Sequence, residues 1–340
     1  MTLSLIISLI FFLILVNYVL AKFNISLDKQ TIGEKHKSLL RENEKTPLSG
    51  TFYFLPIFVI IFYNFESEFL VSFTLLFLLG LFADLKFISS YKLRLIFQFL
   101  FITSFLIMSR DLKVDTRILF INNLMNFEIT RIFICTFFFM VLINGFNLID
   151  GTNCLCTLNF LIISIFLYLL INELNVNLIR DEIEILITVL SIFLLFNFFG
   201  KNFLGDGATY GIGFLLGFFL LKISIINENI SPYFIANLLW YPAFENLFTI
   251  IRRGFSKNDN FLPDNKHLHQ LIFKFLKIKF FFRKKFITSS LVGILINTVL
   301  IINYFIGFRY IGSSLIQIML ISNITILYLA SYYFFSRKYN

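Results

Sequence analysis

The sequence predicts an all-α, polytopic membrane protein built as a helical bundle, and three observations support that prediction. Of its 340 residues, 58% are hydrophobic and only 14% are charged, whereas soluble domains carry about a quarter charged residues. A soluble globule of this size leaves too much of its chain at the surface to hide 49 phenylalanines at a mean hydropathy of +0.84. Apolar runs of about 17 to 25 residues, long enough to cross a bilayer as helices, recur from end to end.

We expect about eleven transmembrane helices. The first run lacks a basic leader and a small-residue cleavage site before Lys22, so we interpret it as a retained helix rather than a signal peptide. The second is short and is expected to begin or end in the membrane interface. The expected spans are roughly 2–21, 51–64, 67–83, 93–109, 131–147, 154–172, 183–199, 207–226, 232–250, 286–305 and 311–335.

The distribution of Lys and Arg predicts an outside N-terminus and a cytoplasmic C-terminus. With that orientation, most of the chain's 29 Lys and Arg lie on inward-facing segments. These segments are 22–50, 84–92, 148–153, 200–206, 251–285 and 336–340. The net charge of +9 is therefore a topology signal, and the partner that it indicates is the lipid bilayer, not nucleic acid. We expect one transmembrane domain over residues 1–340, with its functional site on the inward loops.

Three carboxylates, Asp84, Asp150 and Asp206, lie at the inner ends of three different helices. Each alone is explained as a helix cap or a span-flanking residue. Their coincidence on one face of the membrane favours a site, because converging carboxylates repel one another and a divalent cation relieves that repulsion. Oxygen ligands suit Mg²⁺, or Mn²⁺, better than zinc.

The most polar stretch of the chain begins at Glu245, continues through Arg252-Arg253 and ends at His267-Leu268-His269. Its basic residues can serve as an orientation signal or bind anionic lipid headgroups. Two histidines separated by one residue on a loop can also offer imidazoles to a phosphate or a metal. All three histidines, including His36, are predicted to lie on the cytoplasmic side.

In order and on one side of the membrane, these motifs resemble the polyprenyl-phosphate N-acetylhexosamine-1-phosphate transferases of glycosyltransferase family 4. The phospho-MurNAc-pentapeptide translocases are cousins of that family. The resemblance runs from about Lys45 to Gln270. The motifs that carry it are Lys45-Thr46-Pro47 with Gly50, Asp84 through Gln98, Asn147-Asp150-Gly151, Phe203-Leu204-Gly205-Asp206, and Pro242 with Glu245, Arg252-Arg253 and Pro263-Asp264 through His269. Asn153 and the ending His-Leu-His are similar to the polysaccharide-initiating branch.

The resemblance implies transfer of HexNAc-1-phosphate from a UDP-HexNAc, such as UDP-GlcNAc, to undecaprenyl phosphate at a bacterial inner membrane, with release of UMP and a need for Mg²⁺. It implies a metal ligand at Asp206 and catalytic roles for Asp84, which is associated with the lipid phosphate, and for Asp150, His267 and His269. The implied substrate-binding residues are Lys45, Asn147, Phe203 (stacking on uracil), Arg252 and Arg253.

One departure and several alternatives stay open. Ala83 stands where the family carries the first carboxylate of an acidic pair, so a mechanism in which that residue removes a proton cannot operate. A phosphate monoester, with its second pKa at about 6, is largely ionised at neutral pH and can dispense with a base. The alternatives are a peptidoglycan translocase, a transporter of nucleotide sugars or lipids, and an inactive member of the family. The sequence does not identify the sugar. It does not fix the oligomeric state either, for which a homodimer is one option.

Overall fold

The computed structural model describes residues 3–29, 45–61, 65–109, 112, 114–174, 179–254, 266–280 and 284–339. It confirms the all-α prediction. The helices are α1 Leu3–Phe23, α2 Gly50–Ile61, α3 Ser67–Asp84, α4 Tyr91–Met108, α5 Leu119–Met125, α6 Glu128–Ile149, α7 Leu155–Glu173, α8 Arg180–Phe198, α9 Gly205–Ile226, α10 Pro232–Leu238, α11 Trp240–Gly254, α12 Leu268–Phe280, α13 Lys285–Arg309 and α14 Ser314–Tyr339.

Within the described ranges, eight helices are long and apolar enough to cross a membrane, or nine if the bent pair α10–α11 forms one span. The eight are α1, α3, α4, α6, α7, α9, α13 and α14. The expected number of eleven is not confirmed, and three predicted spans account for the difference. Helix α2 has only 12 residues. Helix α8 begins with the charged run Arg180-Asp181-Glu182. The third is the predicted span 232–250, which is broken.

The break in the predicted span 232–250 lies between α10 and α11, which meet at an angle of 73°. Pro232 occupies the first turn of α10, and Pro242 lies in the first turn of α11. Proline is tolerated at the start of a helix, where its missing N–H has no intrahelical partner. The Trp240 indole donates to Thr325 Oγ1 on α14 at 3.1 Å, which fixes the start of α11 against its neighbour.

A short two-stranded sheet is the feature of the fold that sequence reasoning missed. Strand β1 (Leu27–Lys29) pairs antiparallel with β2 (Lys45–Pro47). The chain after β2 then runs beside the loop that precedes α9. The Phe203 N–H donates to Pro47 O at 3.0 Å, and the Thr51 N–H donates to Leu204 O at 2.9 Å. These bonds hold the start of α2 against the start of α9.

Helices α3 and α9 approach each other closely at Gly80 and Gly207. A Cβ added at Gly80 would lie 2.4 Å from both Gly207 Cα and Gly207 N. Because the obstacle is backbone, no side-chain rotation can relieve that clash. The two glycines therefore allow the end of α3 to lie directly beside the first turn of α9.

Gly80→Ala is expected to destabilise the protein, because the added methyl group must separate two helix backbones. Overpacking of this kind typically costs about 1–3 kcal/mol and occasionally more. Gly254→Ala is the matched control, since a Cβ there meets nothing within 4 Å. Thermal unfolding of the two detergent-solubilised variants measures the difference, and equal unfolding midpoints would contradict the close packing.

Candidate active site

Three carboxylates predicted to converge, Asp84, Asp150 and Asp206, meet at the N-terminal end of α9. Asp84 is the last residue of α3, Asp150 directly follows α6, and Asp206 lies in the first turn of α9. Asp84 and Asp150 accept hydrogen bonds from backbone N–H groups of residues 204–207. Asp206 is itself part of that turn. The structure therefore brings together carboxylates that are up to 122 positions apart in the chain.

Asp84 is buried, with 4% of the residue exposed, and its oxygens are engaged by the protein. Its Oδ1 accepts from the Asp206 N–H at 2.9 Å. Its Oδ2 accepts from the Gly207 N–H at 3.2 Å and from Thr51 Oγ1 at 2.6 Å. The first N–H groups of a helix lack intrahelical acceptors. Asp84, from another helix, is the acceptor for two of these N–H groups. The geometry gives this residue a capping role.

Asp150 caps the same helix end from the other side and is half-buried. Its Oδ2 accepts from the Gly205 N–H at 3.0 Å, and its Oδ1 accepts from the Leu204 N–H at 3.4 Å. Gly205 has a φ of +82°, and a Cβ there would lie 2.7 Å from Asp84 Oδ2. Glycine is therefore the residue that fits between the two carboxylates.

Asp206 differs from the other two because its partners are side chains. Asn147 Nδ2 donates to its Oδ1 at 2.6 Å. The Arg94 guanidinium forms an ion pair with its Oδ2, and the Tyr210 hydroxyl lies 3.5 Å from the same oxygen. The side chains of Arg94 and Asp206 are 24% and 21% exposed, respectively. Asp206 is thus a carboxylate that a ligand can reach.

These contacts correct part of the electrostatic argument made from the sequence. The carboxylates converge, but backbone N–H groups solvate two of them, and Arg94 neutralises the third. Repulsion among them therefore does not by itself require a metal ion. In the part of the chain that the structure describes, no group of three or more His, Cys, Asp or Glu side chains is arranged to hold one.

The histidine pair belongs to a second polar cluster, centred on Glu245 in α11. His267 Nδ1 lies 3.0 Å from Glu245 Oε1, and the hydroxyl of Tyr328 on α14 donates to Glu245 Oε2 at 2.6 Å. Thr249 Oγ1 lies 3.4 Å from the same His267 nitrogen. Glu245 is only 1% exposed, so its charge depends on these partners.

His269 is buried and stacks on His267, with ring centroids 5.4 Å apart and an interplanar angle of 1°. Its Nδ1 has no hydrogen-bond partner among the described residues. Burial, followed by the neighbouring His267, lowers the pKa of His269 from 6.5 to about 3, although Glu245 opposes the shift. At neutral pH, His269 is therefore an uncharged imidazole.

Acidification is expected to destabilise the protein through His269. Between about pH 6.5 and about pH 3 the unfolded chain binds a proton at this residue that the folded chain does not, so the free energy of unfolding falls as pH falls. His269→Gln should make this dependence shallower. Unfolding midpoints measured at about pH 7.5 and about pH 5 test this, and an identical pH dependence in both proteins would contradict it.

The two clusters are connected through helix packing. Asn246, next to Glu245 on α11, donates to Val141 O on α6 at 2.9 Å. Six residues beyond Val141 on α6 lies Asn147, which binds Asp206. The sequence prediction placed all these groups in one site. The structure shows them on adjacent helices, and the partners of the His267 ring are Glu245 and Thr249 rather than the three carboxylates.

The other predicted substrate-binding residues are less informative. Phe203 is 2% exposed, so stacking on uracil would require its ring to be uncovered. Arg252 and Arg253 lie in the last turn of α11, with the Arg252 guanidinium 6.0 Å from the Tyr332 ring centroid. The backbone of Lys45 begins β2. The Lys45 side chain, His36 and the Pro263-Asp264-Asn265 segment lie outside the described residues.

Sequence reasoning missed two groups that complete the carboxylate cluster. Arg94 has no assigned role in the sequence analysis, although it pairs with Asp206. Thr51 was not considered. Its hydroxyl donates to Asp84 and accepts from the Ala208 N–H at 3.1 Å. Arg94 had a detectable signal, since it is a cation inside an apolar run, where ionisable residues are usually paired and functional.

The fold and this site define an all-helical, polytopic membrane protein with an acidic cluster at one end of its bundle. Residues 67–224, a little under half of the chain, match the sequence model of glycosyl transferase family 4. The match supports a membrane-bound transferase of the general class that transfers sugar phosphates to polyprenyl phosphates. No curated protein matches the chain.

The match includes the three carboxylates with Arg94 and Asn147, but not Thr51. It ends before Glu245 and the histidine pair and begins after Lys45. The roles of those residues, and the polysaccharide-initiating branch, therefore remain predictions.

Proposed function

We propose that the protein transfers HexNAc-1-phosphate from a UDP-HexNAc, such as UDP-GlcNAc, to undecaprenyl phosphate and releases UMP. This reaction would be the first membrane step in the synthesis of a cell-surface polysaccharide or O-antigen. The observation that carries the proposal is the partly exposed Asp206, held between Asn147 and Arg94 at the helix ends of the family region. We further propose a bacterial plasma membrane location with this end facing the cytoplasm, where nucleotide sugars are available.

The residues present fit Mg²⁺. This ion retains several waters and is usually bound through one or two carboxylates together with substrate phosphates. Asp206 supplies one such carboxylate, and the amide of Asn147, which donates to it through Nδ2, lies beside it. Asp84 and Asp150 are less suited because their oxygens accept backbone N–H groups. Asp206 would therefore hold the metal, and Mn²⁺ has the same ligand preferences. When bound, the ion would offset charge on the donor pyrophosphate.

In the proposed reaction, an oxygen of the lipid phosphate attacks the phosphorus that carries the sugar. The bond from that phosphorus to the bridging oxygen breaks, and UMP leaves with the electron pair. With a second pKa of about 6, the lipid phosphate is already largely ionised at neutral pH, so Ala83 in place of a carboxylate does not block the step. Arg94, whose guanidinium is partly exposed beside Asp206, would bind a phosphate oxygen once it is released from that pair.

The proposal is tested with membranes or purified protein supplied with undecaprenyl phosphate, Mg²⁺ and a panel of UDP-sugars. We expect a lipid-linked sugar and an equal amount of UMP from at least one UDP-HexNAc. Product only from UDP-MurNAc-pentapeptide would assign the protein to peptidoglycan synthesis instead. Flux of an intact nucleotide sugar across sealed vesicles, with no UMP, would indicate a transporter. The absence of lipid-linked product from every donor would overturn the proposal.

A further inference from the structure

We propose that Glu245 is a positioning residue that fixes the tautomer and orientation of His267, so that Nε2 is the nitrogen offered to a phosphate oxygen of the substrate. This inference rests on the proposed function, because it assigns His267 to the substrate of that reaction. It adds a residue that acts through another rather than by touching the substrate.

The tautomer follows from the chemistry of the contact. An ionised carboxylate only accepts hydrogen bonds, and a buried carboxylate without partners is strongly disfavoured. The 3.0 Å contact between Glu245 Oε1 and His267 Nδ1 is therefore favourable when Nδ1 carries a proton. The more distant Thr249 hydroxyl, at 3.4 Å, accepts from the same N–H. Nε2 is then left without a protein partner in the described part of the chain.

The orientation follows from how the carboxylate and the ring are held. Glu245 lies on α11, and Tyr328 on α14 donates to its other oxygen at 2.6 Å, which prevents the carboxylate from rotating. His267 directly precedes α12, where the Gln270 N–H donates to His267 O at 3.0 Å. The parallel ring of His269 covers one face of the imidazole. Three helices and a stacked ring thus restrict His267 to one pose.

The charges of the cluster explain why a carboxylate is present rather than an amide. The cationic side chains of Arg252 and Arg253 lie about two turns beyond Glu245 on the same helix. His269 packs against the ring, and the Tyr328 hydroxyl contacts the carboxylate. A glutamine could accept the same Nδ1–H, but it could not balance the positive charge of the imidazolium form, in which Nε2 also carries a proton and can donate a hydrogen bond to a phosphate oxygen. A carboxylate that orients an imidazole and stabilises its charged form is a recurrent catalytic arrangement.

The first test is a double-mutant cycle on full-length protein in nanodiscs. We expect Glu245→Gln to lower kcat/KM by about 10- to 100-fold, as loss of an orienting partner does in comparable sites. His267→Ala should lower it at least as far, and the double variant should be no slower than His267→Ala alone. Glu184→Gln, on the exposed surface of α8, is the matched control. Losses that multiply in the double variant would overturn the proposal, because they would show that Glu245 acts independently of His267.

The second test does not require activity. The chain has three histidines, so ¹⁵N-histidine labelling gives few signals, and His267→Asn assigns one of them. We expect His267 in the wild-type protein to carry a proton on Nδ1. A neutral ring protonated only on Nε2 would overturn the inference. If the wild-type protein forms no lipid-linked product, the proposed function fails, while the tautomer measurement still decides what Glu245 does to His267.

Discussion

Asp206→Asn is expected to abolish sugar-phosphate transfer while leaving the helical bundle intact. The substituted side chain keeps an oxygen for Asn147, but it loses the negative charge that pairs with Arg94 and would hold Mg²⁺. Charge stabilisation by a catalytic metal is worth several kcal/mol. Each 1.36 kcal/mol is a factor of ten in rate, so turnover should fall by at least about a hundredfold.

The control for this experiment is Asp181→Asn. Asp181 is the second residue of α8, as Asp206 is the second residue of α9, but it is exposed. The two variants therefore make the same chemical change at equivalent helix positions. Turnover is measured as lipid-linked product per minute over a range of Mg²⁺ concentrations. A near-normal rate for Asp206→Asn at saturating Mg²⁺ would contradict the role of Asp206 as metal ligand.

Asp84→Ala is expected to cause the largest loss of stability among single substitutions at the site. Removing this carboxylate leaves the N–H groups of Asp206 and Gly207 and the hydroxyl of Thr51 without their acceptor. Each buried donor left unsatisfied costs about 1–3 kcal/mol. The combined effect is a large fraction of the stability of an ordinary protein, about 5–15 kcal/mol, so we expect a sharp fall in the yield of folded protein.

Thr51→Val provides the graded comparison, because it removes the hydroxyl that donates to Asp84 and accepts from Ala208, but leaves both backbone N–H contacts of Asp84 in place. It should cost less than Asp84→Ala. Thermal unfolding and size-exclusion profiles in detergent measure both changes. If Asp84→Ala is as stable as the wild-type protein but inactive, Asp84 has a direct part in the reaction and its capping role is secondary.

Much of the fold was predictable because a segment that crosses a bilayer must be mainly apolar, about 20 residues long and helical. The expected segment 67–83 corresponds to α3 at 67–84, and 286–305 lies within α13 at 285–309. The rule fails where a segment is apolar overall but interrupted. Composition does not reveal that the run 232–250 turns by 73° near Leu239, and it does not reveal that residues 27–29 and 45–47 pair as strands.

The site was predictable in part for a different reason. Turn residues at helix ends mark Asp84, Asp150 and Asp206, which the structure brings together at the start of α9. What each carboxylate binds does not follow, because the partners are distant in the chain. Arg94 and Asp206 are separated by 112 positions, and no periodicity connects them. The contact between Glu245 and Tyr328 spans 83 positions across two helices.

The way α9 begins also limits how the protein would hold the pyrophosphate of the proposed donor. The open N–H groups at the start of a helix usually form a ready cradle for an anion. In α9, Asp150, Asp84 and Thr51 already accept the N–H groups of residues 204–208. In the proposed reaction, a pyrophosphate would therefore find no free amide there, and cationic side chains and a bound cation would have to supply the attraction. This helix end would disfavour a bare anion and favour one that arrives with its countercharge.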